Sequence, residues 1–165
     1  MLQHLSNPEY VHVLLNPLPV YGLGLGVLAL IGALIARTPS ARVIAHSLVF
    51  ISAIAAWPVA EYGEAAKDRV LAMADRDGGK WLEEHEARAG KVILVFYVLA
   101  AVSAVSLLAE KFRPKAAPVL LIVTIVLALG AIAAGDYIGA AGGRIRHKEY
   151  RYVPPPDRSP GQDSD

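Results

Sequence analysis

Four long apolar stretches, separated by segments rich in charge, constrain this chain more than any other feature. They cover residues of about 11–36, 41–62, 89–109 and 117–141. Each supplies the roughly 20 residues that an α-helix needs to cross ~30 Å of hydrocarbon. A backbone inside lipid must satisfy its own polar groups, which favours helices over open strands. The sequence therefore predicts an all-α fold, an integral membrane antiparallel four-helix bundle. A 55% share of hydrophobic residues and a mean hydropathy of +0.42 are high for a soluble domain and agree with this reading.

The four-span domain is expected to occupy residues 1–152. Two connections are short, at 37–40 and 110–116, and one is long, at 63–88. The long polar segment starts helically around Val70, Leu71 and Met73, breaks at Asp77-Gly78-Gly79, and resumes at Trp81 into the third span. Residues 153–165 are rich in Pro, Asp and Ser without an apolar face, and are expected to be a disordered tail. Met1 to Glu9 carry no Lys, no Arg and no apolar run, so the first span is expected to direct its own insertion.

Antiparallel spans put both termini and the 63–88 segment on one side, face A. The two short turns lie on the other, face B. Face B carries Arg37, Arg42, Lys111, Arg113 and Lys115 against one acid, Glu110. Basic residues in short loops favour the cytoplasmic side, so face A is expected to be periplasmic in a bacterial inner membrane. The cluster Arg144, Arg146, Lys148 and Arg151 on face A weighs the other way.

Several function classes drop out. With no cysteine, the chain has no disulfide, thiolate metal site, iron–sulfur cluster or covalently attached haem. A formal net charge of +1 gives no reason to expect nucleic acid. Gly22, Gly24 and Gly26 sit within an apolar span, without the strand-then-helix context of a phosphate loop. The span serines have no evident base and acid beside them, so no nucleophilic triad is supported. The chain is not expected to be an enzyme on its own.

The polar residues are unevenly placed. His12 opens span one, His85 stands before span three, and His147 follows span four, all at face A. Glu61 and Glu64 close span two at the same face, and Asp136 lies about two turns inside span four. An acid within a span is costly and marks a candidate proton or polar site. Its alternative is a structural partner, or a residue already near the interface. Pro17, Pro19 and Pro58 also fall near face A, where each removes a backbone donor and can distort its helix. His46 near face B and His4 are expected in ordinary structural hydrogen bonds.

These features together resemble the bacterial four-span family known as domain of unknown function 2231. The matching pieces are His12-Val13-Leu14-Leu15-Asn16-Pro17-Leu18-Pro19, Gly63-Glu64-Ala65-Ala66, Glu83-Glu84-His85-Glu86 and Gly142-Gly143-Arg144-Ile145-Arg146-His147-Lys148-Glu149. The last is the most specific. The first departs from the family pattern, with Pro17 where a second histidine stands. The resemblance implies a membrane protein that binds b-type haem or a metal, in some members linked to electron transfer.

Three functional readings follow. In the first, two of His12, His85 and His147 ligate a non-covalent haem across the bundle, with Arg144 or Arg146 pairing its propionates. In the second, His12, Glu61, Glu64, His85, Glu86, His147 and Glu149 converge on zinc, iron or manganese. In the third, the chain is an accessory membrane subunit and its histidines are structural. The expected partners are the bilayer and a redox protein or further copies of this chain.

Overall fold

Among the described residues, the regular structure is entirely helical. A computed structural model describes residues 5–156. His4 and most of the expected tail lie outside these residues.

The elements are α1 (Pro8–Leu15), a π-helical turn (Leu18–Gly22), α2 (Leu23–Ala36), α3 (Pro39–Ile54), α4 (Ala56–Met73), α5 (Arg76–Val92), α6 (Leu94–Phe112), α7 (Ala117–Arg146) and a 3-10 turn (Lys148–Tyr150). They join into four rods, Pro8–Ala36, Pro39–Met73, Arg76–Phe112 and Ala117–Arg146, each long and apolar enough to cross a membrane. The chain is thus a four-helix bundle of the multi-pass type.

Local chemistry sets each boundary. Arg37 adopts the left-handed conformation (φ 57°) that ends α2. Thr38 then caps α3 by accepting from the Ala41 N–H at 3.3 Å, and Pro39 opens that helix where no N–H is needed. At Pro17 the carbonyl accepts from Tyr21 (2.8 Å) and Gly22 (3.4 Å), which widens the helix to a π turn. The expected distortion at Pro58 takes the form of an interruption at Ala55, just before α4.

One boundary corrects the sequence reading. Helix continues beyond the second span, as expected, to Met73, and it resumes ahead of the third at Arg76 rather than Trp81. The break falls at Ala74 and Asp75, not at Asp77-Gly78-Gly79. Asp75 caps α5, its carboxylate accepting from the Gly78 N–H at 2.8 Å, which places both glycines inside the first helical turns. Gly78 is required there by close approach: a Cβ would lie 2.6 Å from the Ile145 carbonyl oxygen.

The rods are 29, 35, 37 and 30 residues long, which exceeds a single hydrocarbon crossing. Counting ~20 residues from the face B ends reaches Pro17, Pro58, Ile93 and Asp136. Pro17 and Ile93 are where helices are widened or interrupted, and Pro58 lies three residues past the interruption at Ala55. Below that level, α2, α3, α6 and the first half of α7 pack through Leu23, Leu30, Val49, Leu99, Leu121 and small residues. Their outer surface is apolar, with Leu25, Leu28, Ile44, Val105, Val119 and Leu129 exposed. Above it, α1, α4, α5 and the end of α7 form a shorter, charged half-bundle. Asp136 sits at the junction, exposed on the outside of α7 rather than turned inward.

A charged strap closes the top of that half. Arg151 reaches both Asp75 oxygens (2.9 and 3.0 Å) and the carbonyls of Arg144 (2.7 Å) and Ile145 (2.8 Å). Lys148 adds a contact to Asp75 at 3.0 Å. One guanidinium thus caps the C-terminus of α7 and holds the N-cap of α5. The Arg151 bond, the Gly78 N–H and Lys148 hold the Asp75 carboxyl well below the usual carboxylate range. A depressed folded value means that this stabilisation is present above the ordinary value of 3.8 and lost as pH falls below it. Asp75→Asn should lower the thermal midpoint of the detergent-solubilised protein at pH 7. That gap from wild type should narrow as the pH is brought down toward 3.

Candidate functional site

The half-bundle on face A encloses a cavity of about 490 Å³. Its walls are mostly Ala, Val and Gly, including Val20, Ala56, Ala60, Ala89, Gly135 and Gly139. Phe96 and Gly135 lie toward its membrane side, where a Cβ on Gly135 would meet Val20 at 2.6 Å. Its polar lining comprises His12, His85, Asn16, Glu9, Glu64, Glu86, Lys67 and Arg146.

His12 and His85 enter from opposite helix pairs in the same manner. His12 on α1 places Nδ1 2.8 Å from the Val59 carbonyl of α4. His85 on α5 places Nδ1 3.0 Å from the Ile138 carbonyl of α7. A carbonyl can only accept, so each Nδ1 must carry the proton. Each neutral ring then keeps its lone pair on Nε2, the atom a metal would take.

The carbonyls are reachable because of two glycines. In a helix the side chain at i+4 stands over the carbonyl of residue i. Position i+4 from Val59 is Gly63, and from Ile138 it is Gly142. A Cβ on Gly63 would lie 3.0 Å from His12 Nδ1 and Cε1, and one on Gly142 would lie 3.0 Å from His85 Nδ1. The missing side chains make the slots in which the imidazoles lie. The two rings then stand with their centroids 6.4 Å apart and their planes at 86°, in an edge-on arrangement.

Other candidates are dispersed. His147 caps the end of α7, exposed, where its Nδ1 bonds Glu149 at 3.0 Å and its ring lies beside Tyr150. It does not line the cavity, so only two of the three face A histidines meet. Glu61 is exposed and also outside the lining. Glu86 is bound by Lys67 at 2.7 Å, and Glu9 by Arg69 at 2.9 Å. Among the described residues no three His, Asp or Glu side chains are grouped to hold a metal ion. Arg146 lines the cavity, whereas Arg144 is engaged elsewhere, its guanidinium 4.6 Å over the Trp81 ring and its Nε donating to the Tyr150 carbonyl. Near face B, His46 is fully buried and neither ring nitrogen has a hydrogen-bond partner, contrary to its expected structural bonding.

Sequence reasoning missed Val59, Gly63, Ile138, Gly142 and Lys67 as parts of one site. It also missed the clamp beside it, where Arg88 joins Glu84 (2.7 Å) to the Tyr137 carbonyl (2.8 Å) and lies over the Tyr137 ring. The available signal was glycine inside helical, otherwise Ala-rich sequence, which needs a packing or functional reason.

Comparison with models of known families, with curated proteins and with solved structures finds no match to this chain. The site therefore has to be read from its own geometry.

Adding bulk at either glycine should break the matching histidine anchor. Gly142→Val should displace the His85 ring and cost ~1–3 kcal/mol, the usual range for overpacking. The ¹⁵N spectrum of labelled histidine should show His85 losing its hydrogen-bonded Nδ1–H signal. Gly24→Ala, where nothing lies within 4 Å, should leave both ring signals unchanged.

Proposed function

We propose that the chain is a membrane electron-transfer protein that holds one non-covalent b-type haem between His12 and His85. The observation that carries this reading is the ring pair itself. Two imidazoles bonded through Nε2 to one metal at ~2 Å must hold their centroids a little over ~6 Å apart, given the size of the ring. The 6.4 Å separation of the ring centroids is compatible with that distance, and because a carbonyl takes up each Nδ1, Nε2 is the nitrogen left to each ring. A volume of about 490 Å³ lies in the range of cofactor sites, and its apolar walls suit a flat macrocycle.

Two neutral imidazoles suit haem better than the alternative metals. A structural zinc site takes four ligands and a catalytic one three. No third His, Asp or Glu joins this pair among the described residues. The resemblance to the four-span family points to the same class of cofactor.

A haem held by His12 and His85 would supply one-electron chemistry. The protein's residues do the rest. Val59 and Ile138 fix the ring tautomers and make the imidazoles more basic. Gly63 and Gly142 admit the rings. Ala56, Ala60 and Ala89 give the cavity apolar walls. Arg146, which lines the cavity, would be a cationic partner for a propionate, whereas Lys67 is already paired with Glu86. The level of the site, about one to two turns above the end of the hydrocarbon crossing, brings its edge within reach of a soluble redox partner. The basic turns of face B suit the cytoplasmic side, which directs the site to the periplasmic side of a bacterial inner membrane.

Purified protein, or apoprotein given haem, should show a Soret band and the sharp reduced bands of a six-coordinate low-spin iron. His12→Ala and His85→Ala should each abolish that signature, while His147→Ala should retain it. Wild-type protein that takes up no haem would end this reading.

A further inference from the structure

A second set of buried polar groups lies in the other half of the bundle, apart from the cavity. Among the described residues, the buried polar side chains are His46, Ser52, Glu84, Ser103, Ser106 and Thr124. All but Glu84 fall on the face B side of the crossing, within the apolar core of α2, α3, α6 and α7. His46 and Ser103 are fully enclosed, and neither the two His46 ring nitrogens nor the Ser103 hydroxyl has a protein partner. Buried polar groups in proteins are almost always satisfied, and where protein cannot do so an ordered water commonly does. In lipid no outside solvent can substitute.

Their placement forms a file. Arg42 on α3 meets Glu110 on α6 through two hydrogen bonds, 2.5 and 3.0 Å, at the face B end. α3 and α6 run antiparallel, so that pair fixes their register. Moving inward, His46 comes level with Ser106, and Val49 comes level with Ser103. Ser52 follows on α3, closely packed on α2, where a Cβ on Gly22 would fall 2.5 Å from its hydroxyl oxygen. One turn further is Ala56, which lines the face A cavity. The Ser106 hydroxyl donates to the Val102 carbonyl (2.7 Å) and that of Thr124 to the Leu120 carbonyl (2.8 Å), so each oxygen remains available as an acceptor. The polar groups thus span from the charged rim of face B to a position just below the cavity.

We propose that His46, with water bound beside Ser103, is the central member of a proton relay that opens at face B and leads toward the cavity. Its ligand is water, and what it carries is a proton. A proton that enters at face B beside the Arg42–Glu110 pair reaches, through bound water, the ring nitrogen of His46 that lacks one. The ring releases the proton on its other nitrogen to water at Ser103, which passes a proton on to water in the face A cavity; a neutral ring is left in the opposite tautomer, and turning of the ring resets it. Arg42, one turn from His46 on α3, and its partner Glu110 are the charged groups on the face B side of the ring. No other ionisable group faces it closely. α2 and residues 117–135 of α7 contain none, and Tyr97 on α6 lies about two and a half turns from Ser106 toward face A. The relay stands independently of what fills the cavity.

The test is ¹H–¹⁵N spectroscopy of the full chain, labelled at histidine and held in lipid nanodiscs, with the His46 signals assigned by their loss in His46→Gln. The relay predicts ring N–H groups that exchange with water within the experiment, a cross-peak between the ring and bound water, and sampling of both tautomers. Glu110→Gln should slow that exchange at least tenfold. Because Glu110→Gln also strips Arg42 of its partner, Ser103→Ala provides a second arm. It removes an unpartnered hydroxyl, so the fold should be kept while the water cross-peak weakens and exchange slows. A His46 ring locked in one tautomer with no contact to water overturns the proposal. So does exchange that is unchanged in both variants.

Discussion

The hydrogen bond from an imidazole Nδ1–H to the carbonyl of a neighbouring helix organises the functional half of this molecule. Such a bond contributes only ~1 kcal/mol to stability. Its larger effect is on chemistry, because it decides which ring nitrogen keeps a lone pair. The bond is made twice, His12 to Val59 and His85 to Ile138, and each time a glycine one turn beyond the carbonyl leaves room for the ring. α1 with α4 and α5 with α7 are therefore chemically equivalent pairs, although their sequences show no repeat. The cavity is the space between the two pairs, and its two histidines meet there because each pair supplies one.

The membrane accounts for where this site lies. Each rod is longer than one crossing, and the excess is gathered at face A. The interruptions near Pro17, Ala55 and Ile93 fall at one level, where the apolar bundle gives way to the charged half-bundle. Distorted backbone is tolerable there because water and neighbouring side chains can satisfy it. Below that level the core is built of small and apolar residues and holds the separate set of buried polar groups around His46. Above it, the Asp75–Arg151 strap ties the start of α5 to the end of α7, the pair that carries His85 and its anchor.

Much of the architecture was legible in the sequence, since length and apolar content alone require four helices. The break between the second and third helices was not. Charges after Tyr62 suggested the end of the second span with helix beyond it, and an amphipathic helix does continue through them into water with no change of backbone. Asp77-Gly78-Gly79 looked like a breaker. It became a first helical turn because Asp75 supplies a cap and Gly78 meets the α7 carbonyl. Of the candidate site, the histidines were visible in the sequence, but not their partners. His12 and His85 were visible, but His147 shared their face and their sequence context. Nothing in one sequence tells which histidine turns inward, because that depends on Gly63 and Gly142 lying opposite rings some 50 residues away. Backbone carbonyls carry no sequence signal at all, so Val59 and Ile138 could not have been chosen.

The central claim is that His12 and His85 bind one iron together with their ring planes nearly perpendicular. Electron paramagnetic resonance of the oxidised, haem-loaded protein reads both parts at once. The account predicts a low-spin signal of the strongly anisotropic kind given by crossed imidazole planes, in keeping with the 86° between the rings. A high-spin signal, or the rhombic low-spin signal of parallel imidazoles, would contradict it.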